Sequence, residues 1–510
     1  MKFKNSLSHI QYQQFIKKSI LELFKKGIIK SITSYAALIV KMYITDLTQI
    51  RQIMKPYYSD KPRGEIPRDP TNMMRSLILM KFTGEHSITK WIKTINNQDI
   101  YAILSGFEPN DVPGVGTFYD FMKRLSLIDQ NEFRERQHKL RNFKRKPKKN
   151  LSKNQKQGPK HPNIVNLLVQ RVLKYKDHPV HLGPDKLIHI LFRQCFVLHS
   201  AEKGLLGDIN NMTISGDGTL VHTAASPYGI KVCDCKSKGI YNCNCKRIFS
   251  DFNARWGWDS FREMYVYGYN FFEIVASDSL YDLPIFFLRT QAPRHDGVSS
   301  VIAIDKALKL YPQFNFTQFL GDSAMDNYGF YKLLNHFQIE PFITLNETKS
   351  GQFIYQQLQI NKHGIPICAG GLEMIYNGYC LDRMRHKWRC PLKSSKSFPV
   401  DKEHICKSLN YCTPSDYGRT FYTYNKDNFR LFTKIPRKSQ QWKHTFKRRT
   451  SSERSNKRKK NDYQLEQDRA RSYYQWMIRY ALTAMCQHID AWYCQSGTNI
   501  RNMCKDWEKP

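Results

Sequence analysis

The chain has 510 residues, of which 41% are hydrophobic and 13% aromatic, so it can bury a sizeable core and is not a disordered polymer. Its 80 lysines and arginines against 44 acidic residues give a net charge of +36, which favours a polyanionic partner, with nucleic acid the first candidate. Neither a run of about 20 apolar residues nor a secretory-signal pattern is found, so we expect no membrane span and a cytoplasmic location in which the 13 cysteines are thiols or metal ligands.

Residues 1–135 are predicted to form a helical domain. Asp69-Pro70 favours the start of one helix, Ser87 can cap another, and Thr117 begins a third. The outward residues of the third helix are Tyr119, Lys123 and Arg124. Short helices joined by tight turns are compatible with a helix-turn-helix DNA reader, and a plain helical bundle fits the pattern about as well. The positive charge of the chain favours the DNA-binding alternative.

Residues 136–165 are predicted to be a basic linker. This stretch is rich in lysine and arginine and poor in apolar residues, and from 136 to 160 it has no acidic residue. Such a composition is typical of a flexible segment that can lie on phosphates, and it marks a domain boundary.

Residues 166–350 are predicted to form the first part of an α/β core. After a helical stretch, the pattern changes to strand, strand, strand, helix, strand, helix, strand. The expected spans are 212–217, 264–276, 284–290, 296–311, 316–320, 326–337 and 339–345. This order is that of a ribonuclease H-like mixed sheet.

Three acidic residues are placed to meet in such a core. Asp217 and Asp322 are expected at the ends of neighbouring strands, which point into one crevice of an α/β sheet. Two carboxylates there repel each other unless a hard cation lies between them, and Mg²⁺ prefers oxygen ligands. Glu453 sits among basic residues on a predicted helix and would complete a site for two Mg²⁺ or Mn²⁺ ions. Asp326, Asp296 and Glu347 are weaker candidates for the metal site. Asp326 is expected to cap or face solvent on the helix that follows it, and Asp296 to cap the helix that it opens.

The basic stretch around Glu453 has a regular spacing. Phe446, Arg449, Glu453 and Lys460 are separated by three, four and seven residues and therefore share one helical face. This pattern is similar to the Tyr-x2-Arg-x3-Glu-x6-Lys signature of the DDE transposases of bacterial insertion sequences, with phenylalanine in place of tyrosine. The motifs around Asp217 and Asp322, and the helices of residues 69–125, also resemble that family.

The resemblance implies a DNA transposase that binds the terminal inverted repeats of an insertion sequence, cleaves terminal phosphodiesters and joins the 3′-hydroxyl ends to target DNA. It implies Asp217, Asp322 and Glu453 as catalytic metal ligands, phosphate contacts from Arg449 and Lys460, and a homodimer that acts on double-stranded DNA at the bacterial nucleoid. Phe446 lacks the hydroxyl of the family's tyrosine. Stacking or packing by its ring could persist, and whether the ends are processed through a hairpin or in another way stays open.

Cysteines form a second group of candidate ligands. Cys233, Cys235, Cys243 and Cys245 make two Cys-x-Cys pairs, which we expect on the two arms of a hairpin that could bind a structural Zn²⁺. Residues 351–440 are predicted to be a β-rich insertion, and residues 441–510 to form the last part of the core and a C-terminal helix. A second zinc site in the insertion stays open as an alternative for Cys368, Cys380, Cys390, Cys406 and Cys412, with His386 and His404 nearby.

Two other classes of function share these features. A zinc-stabilised DNA-binding protein without catalysis would have the same charge and cysteines, although the set of three acids favours an enzyme. A ribonuclease H-like nuclease that cleaves without strand transfer would have the same acids. Trp388 or Trp442 could stack on an unpaired base, and core packing is the alternative for both.

Overall fold

A computed structural model describes residues 2–59, 64–127, 134–137, 164–260, 262–347, 353–394, 406 and 412–509. The protein is mixed α/β, as predicted, with a mixed central sheet and many helices. Most of the predicted basic linker, residues 138–163, lies outside the described residues. Over the described ranges, none of the helices has the length and apolar character needed to cross a bilayer.

The first part of the chain is helical. Two of its helices begin where Asp69 and Ser87 predict, whereas the helix expected from Thr117 begins at Val115. Asp69 accepts a hydrogen bond from Thr71 N and Pro70 is the first helical residue, while Ser87 accepts from Lys90 N. The helices are α1 (His9–Lys25), α2 (Ala36–Ile44), α3 (Gln49–Met54), α4 (Pro70–Phe82), α5 (Ile88–Asn97), α6 (Asp99–Ser105) and α7 (Val115–Leu125).

A short strand, β1 (Arg134–Gln137), and a second helical region lead into the main sheet. The helices of that region are α8 (Ile164–Lys174), α9 (Lys186–Phe192) and α10 (Leu198–Glu202). The strands that follow are β2 (Met212–His222), β3 (Ile230–Lys231), β4 (Lys246–Phe249), β5 (Arg255–Asp259), β6 (Met264–Ala276) and β7 (Pro284–Gln291). β2, the first strand predicted from the sequence, was expected to end at Asp217, but it continues to His222.

The second half of the core alternates helices and strands, close to the predicted spans. These elements are α11 (Asp296–Leu310), β8 (Phe316–Gly321), α12 (Tyr328–His336) and β9 (Glu340–Ile343). In the sheet, β2 lies between β6 and β8, β6 also pairs with β5 and β7, and β9 forms the other edge. β8 and β9 run parallel to β2, whereas β6 is antiparallel to it.

The insertion is β-rich, as predicted, and has a small core of its own around Trp388. Its elements are β10 (Phe353–Tyr355), β11 (Leu358–Ile360), β12 (Pro366–Ile367), β13 (Ile375–Cys380), β14 (Arg385–Arg389), α13 (Pro391–Ser394) and β15 (Thr420–Tyr424). They form two antiparallel three-stranded sheets, β10-β11-β12 and β13-β14-β15.

Four helices complete the chain, α14 (Gln440–Lys447), α15 (Thr450–Asn461), α16 (Tyr473–Gln495) and α17 (Thr498–Trp507). α11 packs on one face of the sheet and α15 on the other, against β2 and β6. The long helix α16 is almost entirely buried, and it packs against both the N-terminal helices and the sheet side of the molecule. The hydrophobic core is therefore continuous from Tyr12 to Cys504.

Candidate active site

Asp217 lies on β2 and Asp322 directly follows β8, the parallel strand beside it, at an equivalent position. β2 and β8 are paired up to Ser215 and Leu320, and each aspartate comes two residues after that last pair. β8 then ends at Gly321, whereas β2 continues along β6. The edge of β2 beside Asp217 is thus open, and the two carboxylates face a crevice where the neighbouring strand stops.

The glycines on either side of Asp217 explain why the strand is longer than predicted. A Cβ at Gly216 would lie 2.7 Å from the Phe272 ring, and a Cβ at Gly218 would lie 2.3 Å from Asp296 Oδ1. Both glycines sit inside β2 and leave room for neighbouring side chains, whereas the sequence suggested that they end the strand.

Asp296, which the sequence predicted to be a helix cap, lies at the site instead. The cap of α11 is His295, which accepts from Gly297 N at 3.1 Å, so the Asp296 carboxylate is free to turn toward Gly218. Asn270 Nδ2 donates to Asp296 Oδ1 at 2.8 Å. The signal that could have found it is the glycine beside the catalytic candidate, which has no side chain to exclude a neighbouring carboxylate.

The carboxyl groups in this crevice influence each other strongly. Burial, together with the negative charges of Asp296 and then Asp322, raises the pKa of Asp217 to about 7, although a hydrogen bond from Asn456 opposes the shift. Burial and the charge of Asp322 also raise the pKa of Asp296, against a hydrogen bond from Asn270. Carboxyl groups that lie close together with raised pKa values are compatible with a cation site, because a positive charge would favour their ionised forms.

Helix α15 lies across the sheet and is fixed there by polar groups on its inner face. Ser451 Oγ lies 2.8 Å from Ser215 Oγ and 2.9 Å from Ser277 Oγ. Lys459 Nζ and Glu273 Oε1 form a fully buried ion pair at 2.6 Å. Burial lowers the pKa of Lys459 to about 8 even though the charge of Glu273 opposes this shift.

The residue of α15 that contacts Asp217 is Asn456, whose Nδ2 donates to Asp217 Oδ2 at 3.0 Å. Glu453, the predicted third acid, lies one turn earlier and is exposed, with its carboxylate paired to Arg449 at 2.7 Å. The structure therefore brings Asp217 and Asp322 together with Asp296 and Asn456, while the Glu453 carboxylate points to a neighbouring arginine.

The other residues of the basic signature follow the predicted face. The chain forms two helices, α14 and α15, instead of one, but Arg448 and Arg449 between them keep right-handed helical angles, so the spacing is preserved. The Arg449 guanidinium lies 5.6 Å from the Phe446 ring, which stacks on Trp442 with centroids 4.5 Å apart. Lys460 pairs with Glu466 at 3.3 Å.

The predicted DNA-binding residues of the N-terminal region lie on α7. Tyr119 is half-buried and packs against the core. Lys123 lies 3.9 Å from Asp120, and the Arg124 guanidinium lies 4.0 Å from the centre of the Tyr58 ring. The role of these three residues in DNA binding stays a prediction.

The four clustered cysteines come together and could bind a metal such as zinc. The Sγ atoms of Cys233, Cys235, Cys243 and Cys245 all lie within 4.8 Å of one another. The prediction that they lie on the two strands of a hairpin is wrong. They lie in the loop between β3 and β4, because those strands pair over only two residues. The hairpin is therefore shorter, and its tip carries the cysteines.

No second group of this kind is found among the described residues of the insertion. Cys368 and Cys406 approach each other around Gly370, whose Cβ would lie 3.8 Å and 2.6 Å from their sulfur atoms. His386 is buried and its pKa is lowered to about 4 by burial, and His404 lies outside the described residues. Cys380, Cys390 and Cys412 are half-buried thiols.

The remaining sequence candidates have structural partners. Asp326 is fully buried and accepts two hydrogen bonds from Arg430, at 2.8 and 2.7 Å, so it anchors the insertion and does not cap a helix. Glu347 is 84% exposed. Trp388 and Trp442 are buried in hydrophobic clusters, which is the core-packing alternative for both.

Comparison of the chain with protein-family models, with curated proteins and with solved structures gave no match. The site and the fold therefore carry the functional argument.

Proposed function

We propose that the protein is a DNA transposase of the DDE type, which cleaves and joins phosphodiesters with two divalent cations. The observation that carries this proposal is the placement of Asp217 and Asp322 at equivalent positions beyond the paired part of two parallel strands. Asn456, on the helix that bears the basic signature, bonds directly to Asp217 and brings that helix to the same crevice.

The order of the sheet supports a ribonuclease H-like core. Apart from β5, which also pairs with β6, the strands of this sheet are in chain order β2, β6, β7, β8 and β9, counted here as first to fifth, and their order in space is third, second, first, fourth, fifth. The second strand is antiparallel to the others, and helices α11 and α12 follow the third and fourth strands. This strand order is compatible with the ribonuclease H-like core that we propose.

The residues of the crevice fit hard divalent cations. Their carboxylate oxygens are the ligands that Mg²⁺ and Mn²⁺ prefer, and repulsion between buried carboxylates would be relieved by a cation. Such ions would supply an activated water or 3′-hydroxyl and stabilise the leaving oxygen. Asp217 and Asp322 hold the ions in this proposal, and Asn456 fixes the orientation of the Asp217 carboxylate.

Two residues are candidates for the third carboxylate. Glu453 matches the family signature, and it is held only by an exposed pair with Arg449 four residues away, which is worth about 0.3–0.5 kcal/mol. A cation could therefore draw it from Arg449 at small cost. Asp296 already lies in the crevice, beside Gly218. We assign the third position to Glu453 and a supporting position to Asp296.

The surroundings of the site suit a DNA strand. Arg449 and Lys460 share the exposed face with Glu453, and the whole chain carries a net charge of +36. Phosphate contacts from such residues position a duplex without reading its sequence. The proposed partners are the terminal inverted repeats and the target DNA, held by a homodimer because two ends must be joined.

The test is cleavage and strand transfer on DNA that carries the ends of the element, with Mg²⁺ or Mn²⁺. Asp217→Asn, Asp322→Asn and Glu453→Gln should each lower cleavage by at least about a hundredfold and leave DNA binding unchanged. Glu347→Gln, a change at an acid that is 84% exposed, is the control and should be fully active. Full activity of any of the three variants would reject the assignment of that residue.

The same assay separates the alternatives. Cleavage without joining would indicate a nuclease, and DNA binding without either reaction would indicate a binding protein. For Asp296, the variants Asp296→Asn and Gly218→Ala should weaken Mn²⁺ binding, measured on the full chain without DNA. If Asp296→Asn abolishes cleavage and Glu453→Gln does not, the third carboxylate is Asp296.

A further inference from the structure

The cysteine cluster has the dimensions of a tetrahedral zinc site. The sulfur atoms of Cys233 and Cys243 are 3.5 Å apart, as are those of Cys235 and Cys245, and the whole set lies within 4.8 Å. Four thiolates about 2.3 Å from one Zn²⁺ lie about 3.8 Å from each other. The observed separations bracket that value, so one ion can be bound with small movements of the side chains.

Apart from those of the cysteines, the contacts of this loop include local hydrogen bonds and an exposed ion pair between Lys238 and Asp234. Residues 232–245 contain turn hydrogen bonds such as Ile240 N to Cys235 O at 2.8 Å. Their large apolar side chains are exposed, with Val232 at 54%, Ile240 at 52% and Tyr241 at 65%. Ordering such a loop costs conformational entropy that is not offset by burial, and a structural metal commonly supplies the missing free energy.

The loop is directly joined to a three-stranded sheet in which β4 is the middle strand. Cys245 immediately precedes β4, and β3 ends at Lys231, two residues before Cys233. On its other edge β4 pairs with β1, in the antiparallel register of Arg134 with Phe249. Gln137, the last residue of β1, pairs with Lys246, the residue that follows Cys245.

This arrangement places the cysteine cluster where the chain leaves β1. The segment that contains β1 joins helix α7 to helix α8, so it connects the N-terminal helices with the sheet. β1 has only four residues and gains its pairing entirely from β4. A short strand of this kind is stable only if its template strand is held in place.

We propose that Zn²⁺ bound by Cys233, Cys235, Cys243 and Cys245 holds β4 as a template for β1 and so fastens the connection between the N-terminal helices and the sheet. The ion has no part in phosphoryl transfer. This zinc site does not depend on the proposed transposase function, because the cysteine cluster, its loop and the pairing of β1 with β4 involve none of the crevice carboxylates.

The first measurement is the metal content of the purified full chain. We expect one zinc per chain by elemental analysis, and loss of that zinc in Cys235→Ser and in Cys245→Ser. Cys494→Ser, a change at an exposed cysteine outside the cluster, is the matched control and should keep the zinc. A chain without zinc, or one in which thiol titration finds the four cysteines as two disulfides, would overturn the metal site.

The second measurement is amide hydrogen exchange of the full chain with zinc and after zinc is removed by a chelator. Removal should speed exchange in residues 134–137 and 246–249 by about tenfold or more and leave β2 and β6 unchanged. Because the wild-type chain is used, a variant that fails to fold does not affect the result. Unchanged exchange in residues 134–137 after complete loss of zinc would overturn the fastening role.

Discussion

The two faces of helix α15 use the same kinds of charged residue in opposite ways. On the inner face, Lys459 and Glu273 are both completely buried and paired with each other. On the outer face, Arg449 and Glu453 are also paired, but their side chains are 22% and 49% exposed. Lys460 on the same outer face is 32% exposed.

This difference shows which charges are available to a ligand. Water cannot solvate a buried charge that has lost its ion-pair partner. Lys459 therefore stays paired with Glu273 and is not available to a ligand. An exposed pair is in competition with water already and can exchange its partner for a phosphate or a metal ion at little cost. The inner face therefore positions the helix, and the charges of the outer face are available to a ligand.

The largest effect is expected from Lys459→Met. The change leaves Glu273 charged and unpaired in the core, which should lower the free energy of unfolding by about 3–5 kcal/mol. The double variant Lys459→Met with Glu273→Gln removes both charges and should cost less than the single change. Urea denaturation measures both, and a loss below about 1 kcal/mol in the single variant would contradict the structural role of the inner face.

A smaller effect concerns Asp217 and pH. Its pKa is raised from 3.8 to about 7, so the folded protein binds this proton more tightly than the unfolded chain. The resulting stability is complete below pH 3.8 and is lost as the pH rises toward 7, by about 4 kcal/mol at most.

Without divalent cations, wild type should thus lose more stability between pH 4 and pH 7 than Asp217→Asn does. Thermal unfolding at a series of pH values measures this difference, with Glu347→Gln as the control for loss of an exposed acid. Parallel curves for wild type and Asp217→Asn would show that the crevice does not perturb this carboxyl group.

The smallest effect on stability is expected from Glu453→Gln. It breaks an exposed pair between residues four apart on a helix, so the free energy of unfolding should change by no more than about 0.5 kcal/mol. Urea denaturation of Glu453→Gln and of Lys459→Met under the same conditions compares the two faces of one helix directly. A loss of several kcal/mol would mean that the outer face is structural and is not reserved for a ligand.

The elements of the core could be predicted closely because their patterns are regular. The aromatic and β-branched run of β6 was expected over 264–276 and found over Met264–Ala276. The helix after Asp69 begins at Pro70 as its capping residues predict. β5, with its exposed Trp256 and Trp258, was not predicted, because a five-residue strand with a central glycine carries little periodic signal.

The cysteine arms and the glycines of β2 were harder to interpret. Spacing alone indicated strands for the cysteines, yet the fold keeps β3 to two residues and leaves the cysteines in a loop. Gly218 resembled a strand end, whereas it makes room for a carboxylate from another element. Both outcomes depend on neighbours far away in the sequence.

The sequence by itself determined the order of the main core elements apart from β5, the positions of Asp217 and Asp322 along the chain and the shared face of Phe446, Arg449, Glu453 and Lys460. These properties follow from local periodicity and capping, which depend on residues that are close together in the sequence. Only the tertiary structure decided that Asn456 contacts Asp217 and that Asp296 enters the crevice. The physical reason is that the rotation of α15 on the sheet is set by its buried hydroxyls and by the Lys459–Glu273 pair, whose partners come from distant strands.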